Sequence, residues 1–138
     1  MMSASFIDSN VLVYLADIRD RRKQSVAKEL VKASIERHLN CWISTQTLTE
    51  FINVALKKLK LPTDVVEGFL RFFDALPIVD MDRSLVRRGL EIRARYHLQY
   101  YDSVIIAAAE RCGATCIYSE DLNDGQLYCG IQVVNPFA

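Results

Sequence analysis

Four carboxylates stand where apolar runs give way to polar sequence. Asp8 closes the run SASFI, Glu50 lies in the segment after CWIS, Asp102 stands near the front of YYDSVIIAAAE, and Asp121 lies in the loop EDLNDGQ after ATCIYS. Two carboxylates about 4 Å apart repel by ~4 kcal/mol at an effective dielectric near 20. A shared pocket therefore raises their pKa values or binds a cation. Oxygen-only donors favour Mg²⁺ or Mn²⁺ over zinc. Such an ion can activate a water and stabilise charge on a phosphoryl oxygen, and phosphodiester hydrolysis is the chemistry that fits best. Each acid also has a plainer use. Asp8 can cap a helix, Asp102 can complement a helix dipole, Glu50 can sit on a solvated helix face, and Asp121 can serve a turn. The joint placement is what carries the functional reading.

That placement depends on the elements between the acids. Residues 3 to 8 read as a short buried strand, after which Ser9 is expected to cap a helix through NVLVYLAD. The charged cluster Asp17 to Lys23 reads as an exposed turn, and Val26, Leu30, Val31, Ile35 and Leu39 give helical spacing from Gln24 to Leu39. CWIS (41–44) is a second strand, and Thr45 to Lys60 a helix whose polar face holds Gln46, Glu50, Asn53 and Lys57. Pro62 and Thr63 open a helix through Phe73, and LPIVDMD (76–82) is a strand that Pro77 assigns to an edge. Ser84 to Tyr96 is helical. Tyr100 to Cys112 is apolar on nearly every side, so it should be heavily buried, and Gly113 ends it. ATCIYS (114–119) is continuous enough in apolar residues to be a central parallel strand, and GIQVVNPF (130–137) is the last strand. Strands alternating with helices predict an α/β domain over residues 1–138, its parallel sheet covered on both faces. Such sheets bind ligands outside the carboxyl ends of the strands, where strand order reverses. Asp8, Asp102 and Asp121 are placed to reach that edge, and Glu50 follows the strand CWIS.

Lys+Arg and Asp+Glu are both 17, so bulk positive charge does not bind nucleic acid here. An acidic pocket repels a phosphodiester polyanion, and local cations must then steer it. The candidates are Arg19, Arg21, Arg22 and Lys23, then Lys57, Lys58 and Lys60, then Arg87 and Arg88, although most charge runs are solvated faces. Tyr100, Tyr101 and Trp42 can stack on bases, though packing is the commoner use of such residues. Cys41, Cys112, Cys116 and Cys129 read as reduced thiols, and the one close pair, C-x3-C, does not suit zinc. His38 and His97 read as helix-end residues suited to the dipole. No GxSxG, P-loop or GxGxxG occurs, and DSN lacks the second aspartate of a DxD site. MMSASFIDSN does not resemble a signal peptide, and VIIAAA is too short to span a bilayer, so a cytoplasmic location is expected.

In order along the chain, FIDSNVLVY, STQTLTEF, YYDSVIIAAAE and IYSEDLNDGQ with a closing NPF resemble the PIN-domain nucleases, and most nearly the VapC-type toxins of prokaryotic toxin–antitoxin pairs. The likeness runs from Phe6 to Phe137. It implies a three-layer α/β/α sandwich with a mostly parallel sheet of about five strands, and Mg²⁺- or Mn²⁺-dependent endoribonuclease activity. By the same resemblance Asp8, Asp102 and Asp121 hold the metal, directly or through water, and Glu50 assists from its helix. Asn10 supports the acids from behind, and the Ser119 hydroxyl orients them. Glu120 and Asp124 share the loop with Asp121, so either can also reach the metal. A homodimer and a small antitoxin that blocks the site are implied as well. Leu59, Leu61, Phe69 and Phe72 can serve a dimer or the core. Two rivals stand beside this reading: a PIN-fold RNA-processing nuclease outside a toxin pair, and a non-catalytic RNA-binding module. The module gains nothing from a concentrated negative pocket facing phosphate.

Overall fold

Short apolar runs form strands, and longer runs with one apolar stripe form helices that cover them. The computed structural model describes residues 2–138. Its elements are β1 (Ala4–Ile7), α1 (Ser9–Ala16), α2 (Arg21–Ile35), β2 (Asn40–Ser44), α3 (Thr45–Lys57), α4 (Thr63–Phe73), β3 (Ile78–Val79), α5 (Arg83–Tyr96), α6 (Tyr100–Arg111), β4 (Ala114–Tyr118), β5 (Leu127–Tyr128) and β6 (Ile131–Val134). The sheet order is β3-β2-β1-β4-β6-β5. All neighbours are parallel except β5 and β6. The chain leaves β1 toward β2 and β3, then returns to add β4 and β6 on the other side. Strand order therefore reverses between β1 and β4, and β3 lies at an edge as Pro77 predicts.

Successive residues of a strand face opposite sides of the sheet, and β1 shows the consequence. Phe6 enters a core with Ile105, Ile117 and Val133 under α5 and α6. Ile7 enters a second core with Val11, Ala27, Ile43, Phe51 and Phe73 under α1 to α4. These cores separate the three layers of an α/β/α sandwich. In α6 every residue from Ser103 to Ala109 is buried, as its all-round apolarity predicts. Each fully buried Ile contributes about 1.5–3 kcal/mol. Gly89 sets how near α5 comes, because a Cβ there would meet Val104 Cγ2 at 2.6 Å. A larger residue would force α5 away from α6, the helix that carries Asp102.

Several local readings are corrected. Asp8, not Ser9, caps α1, since its side chain accepts the Ser9 N–H. Of Asp17 to Lys23 only Ile18 and Arg19 form an exposed turn: Asp17 is buried, and Arg21 begins α2 behind the cap Asp20. The helix ends at Ile35, so His38 lies beyond it. The third helix stops at Lys57 rather than Lys60. The sheet has six strands, because Leu127–Tyr128, between the loop EDLNDGQ and the last predicted strand and assigned to neither, form β5, a two-residue antiparallel partner of β6. Two residues carry too little alternation to announce a strand.

Candidate functional site

The Asp8 N–H donates to Tyr118 O at 3.0 Å, which carries the β1–β4 pairing to the strand ends. The Asp8 side chain is therefore fixed at the reversal point and is only 4% exposed. Oδ1 accepts from Ser9 N at 2.7 Å. Oδ2 accepts from Ser119 Oγ at 2.9 Å and Asn10 Nδ2 at 3.0 Å. Burial pushes the Asp8 carboxyl up to about 7; the Ser119 and Ser9 hydrogen bonds oppose this, and the Glu50 and Asp102 charges add to it.

Asn10 and Ser119 tie Asp8 to Asp121. Asn10 Nδ2 also reaches Asp121 Oδ2 at 3.2 Å, and its Oδ1 accepts from Glu120 N at 3.0 Å. Ser119 Oγ accepts from the N–H groups of Asp121 at 3.2 Å and Leu122 at 3.3 Å. The loop after β4 is thus folded around the two side chains that also hold Asp8. Glu50 comes from the second turn of α3, whose start is fixed by a capping box between Ser44 and Thr47. Burial raises the Glu50 pKa, and the charges of Asp102 and Asp121 add to the rise. Asp102, in the first turn of α6, is raised by burial and then by Asp121. Asn10 and Ser119 join Asp8 to Asp121, Ser9 Oγ donates to Glu50 Oε2 at 3.5 Å, and the mutual repulsions include Asp102, so the structure brings all four sequence-predicted acids together.

One residue of the site was missed from sequence. Gln46 Nε2 donates to Glu50 Oε1 at 3.0 Å and to Tyr101 O at 3.1 Å. It links the glutamate of α3 to the turn of α6 that carries Asp102. Its position four residues before Glu50 is the available signal.

Other candidates are drawn elsewhere. Glu120 accepts from Lys23 Nζ at 2.7 Å and Tyr14 OH at 3.1 Å. Asp124 accepts from Asn135 N at 2.9 Å. Asp121 is thus the loop acid linked through Asn10 to Asp8. Arg19 makes two 2.8 Å bonds to Asp17. Arg22 donates to Phe137 O, and Arg88 to Glu110. Tyr101 is 65% exposed beside the acids, whereas Trp42 packs against the core. His97 caps α5 in the left-handed region, and His38 lies by Glu36. A cleft of about 320 Å³ runs from the acids between α1 and α3. A larger groove, about 670 Å³ between α2 and α4, has Val65, Phe69 and Phe72 on its α4 wall and holds none of the acids.

Among the described residues, no three His, Cys, Asp or Glu side chains form a ready-made metal ligand set. The donor chemistry still fits a hard ion. The donors are carboxylate oxygens, their charges are uncompensated, and Mg²⁺ commonly binds through one or two carboxylates while keeping several waters. No helix among the described residues is long and apolar enough to cross a membrane.

A family model described as PIN domain matches residues 5–123. No curated protein matches the chain in sequence. Among solved structures, a toxin–antitoxin complex from Klebsiella pneumoniae is 22% identical, with a TM-score of 0.67 over 96% of this chain and 97% of that one. Mycobacterium tuberculosis VapC20, described as a Sarcin-Ricin loop cleaving toxin, is 16% identical, with a TM-score of 0.69 over 93% and 98%. DNA-bound VapBC from Salmonella typhimurium is 20% identical, with a TM-score of 0.68 over 96% and 97%. At these identities the likeness is one of fold.

Proposed function

The chain belongs to the PIN domain family, and on that premise we propose that it is a metal-dependent endoribonuclease, the toxin of a toxin–antitoxin pair. The observation that carries this reading is the group Asp8, Glu50, Asp102 and Asp121 at the point where strand order reverses, with Asp8, Glu50 and Asp121 oriented by neutral donors. The descriptions of the solved relatives, a cleaving toxin and two toxin–antitoxin complexes, support the same reading.

Asp8, Asp102 and Asp121 would hold Mg²⁺ or Mn²⁺, directly or through water, with Glu50 assisting from α3. The bound ion supplies activation of water and relief of charge on the phosphoryl oxygens. Ser119 and Asn10 fix Asp8 Oδ2 and so aim the carboxylate without neutralising it. Gln46 does the same for Glu50 Oε1. Burial holds the Asp8 carboxyl up to about 7, so acid favours its protonated form and would weaken the hold on a cation. The antitoxin, as in the solved complexes, is the proposed protein partner, and a homodimer the proposed assembly.

The test incubates purified protein with mixed RNA in Mg²⁺, Mn²⁺ or EDTA, beside Asp8→Asn and Asp102→Asn. Cleavage that needs the cation and is lost in both variants is the expected result. Cleavage that survives both substitutions would overturn the assignment of the site. RNA binding without cleavage would favour a binding module.

A further inference from the structure

We propose that the cleft between α1 and α3 is the track of the RNA strand and that Lys58 holds one of its phosphates, two helical turns from the acids. The inference rests on the nuclease reading and adds to it the path of the substrate.

The cleft is built from two stripes. Glu50 and Val54 of α3 and Lys58, the residue that caps its C-terminus, recur every four residues and so share one face. Asn10 and Val13 of α1 and its C-cap Asp17 line the facing wall at spacings of three and four. Both stripes begin beside the acid group and run away from it. Eight residues separate Glu50 from Lys58, which is about 12 Å along a helix. An extended strand with a phosphate at the acids can therefore lie along the cleft with a further phosphate at Lys58.

The charges favour that occupant. Besides the site acids, Asp17 and Glu120 line the cleft. Both are already matched, Asp17 by Arg19 and Glu120 by Lys23. Lys58 is the one cation among the lining residues, and it makes no salt bridge among the described residues. Its charge acts on Asp17 from beyond salt-bridge distance, and Asp17 is already bound by Arg19, so the ammonium has no carboxylate of its own, whereas Arg19, Lys23 and Arg88 of the basic clusters are committed to carboxylates. An unpaired cation at the far end of a cleft that starts at an acidic centre matches a polyanion whose scissile phosphate needs a metal and whose next phosphates need a lysine.

The test measures affinity for single-stranded RNA oligonucleotides against salt concentration by anisotropy in EDTA, and KM and kcat for cleavage in Mg²⁺. The proteins are wild type, Lys58→Gln, Lys58→Arg and Lys32→Gln, the last removing an equal charge near the end of α2. The expected result is weaker binding and higher KM for Lys58→Gln, with kcat and Tm unchanged. The slope of log affinity against log salt should become shallower by about 0.7, the value of one single-strand phosphate contact. Lys58→Arg should keep most of the affinity, and Lys32→Gln all of it. Equal KM and equal slope for Lys58→Gln and wild type, with cleavage intact, would overturn this proposal and leave the nuclease reading standing. Unchanged RNA binding together with weakened capture of the antitoxin would also overturn it, and would make the cleft a protein-docking surface. A wild-type protein that neither binds nor cleaves RNA would overturn both.

Discussion

Asp8, Glu50 and Asp102, beside the ends of β1 and β4, all have raised pKa values, with burial the first cause. On the α5–α6 face, Asp82 and Glu110 are lowered by Arg111 and Arg88, and Asp17 is held down to about 2 by Arg19. The side chains are the same kind, and their partners differ. Asp82, Glu110 and Asp17 each meet a guanidinium. Asp8 and Glu50 meet hydroxyl and amide donors, which orient a carboxylate without an opposing charge, and Asp102 meets no cation among the described residues. Glu120 marks the border: it adjoins Asp121 in sequence but is taken by Lys23. The contrast separates carboxylates matched by a guanidinium from carboxylates left without a cationic partner.

The largest effect that can break this contrast is on catalysis. Asp8→Asn or Asp102→Asn should lower cleavage by about 10²–10³-fold or more, while for Asp102→Asn Tm in EDTA at pH 8 does not fall, because the substitution removes repulsion. Asp82→Asn should do the opposite, lowering Tm and sparing cleavage. A Tm loss for Asp102→Asn as large as that for Asp82→Asn would erase the distinction.

Next is the pH dependence of stability. In cation-free protein the central acids keep protons on folding that they would release when unfolded. Stability should therefore fall as pH rises from about 4 to about 7, and Mg²⁺ at pH 8 should raise Tm. Asp17 acts in the opposite sense, its contribution present above about pH 4 and lost as pH falls toward 2. Thermal melts from pH 3 to 9, with EDTA or Mg²⁺, check both limbs. A profile flat from pH 4 to 8 in EDTA and unmoved by Mg²⁺ would count against an uncompensated centre.

Removing the orienting donors is a smaller step. Asn10→Ala or Ser119→Ala should cost about 10–100-fold in activity or metal affinity. Gln46→Ala, which touches Glu50 alone among the acids, should cost about tenfold or less. Metal titrations of cleavage separate these variants from wild type. The smallest effect belongs to Arg88→Ala. That pair is about a third exposed and screened by water, so its loss should cost no more than about 1 kcal/mol and leave cleavage unchanged.

The sequence made the elements legible wherever a long pattern supported them. The all-round apolarity of Tyr100 to Cys112 predicted the buried α6, and Pro77 predicted the edge strand β3. Asp8 showed its position at a strand end, but not that Oδ1 caps α1 while Oδ2 faces Ser119. Arg21 to Lys23 read as a turn because charges obscure a helix start whose cap, Asp20, lies just before them. Gln46 read as one more polar face residue, since its partner Tyr101 lies 55 positions away.

By itself the sequence determined which residue types lie at strand ends, because hydrophobic periodicity is local and survives in the unfolded chain. It thereby determined the α/β class and the order of the four acids. Only the tertiary structure decided which carboxylates are neutralised. Arg19 meets Asp17 nearby, but Lys23 meets Glu120 across 97 positions and Asn10 meets Asp121 across 111. A charge within a few ångströms controls a carboxylate's pKa, and those distances exist only once β4 has been laid beside β1.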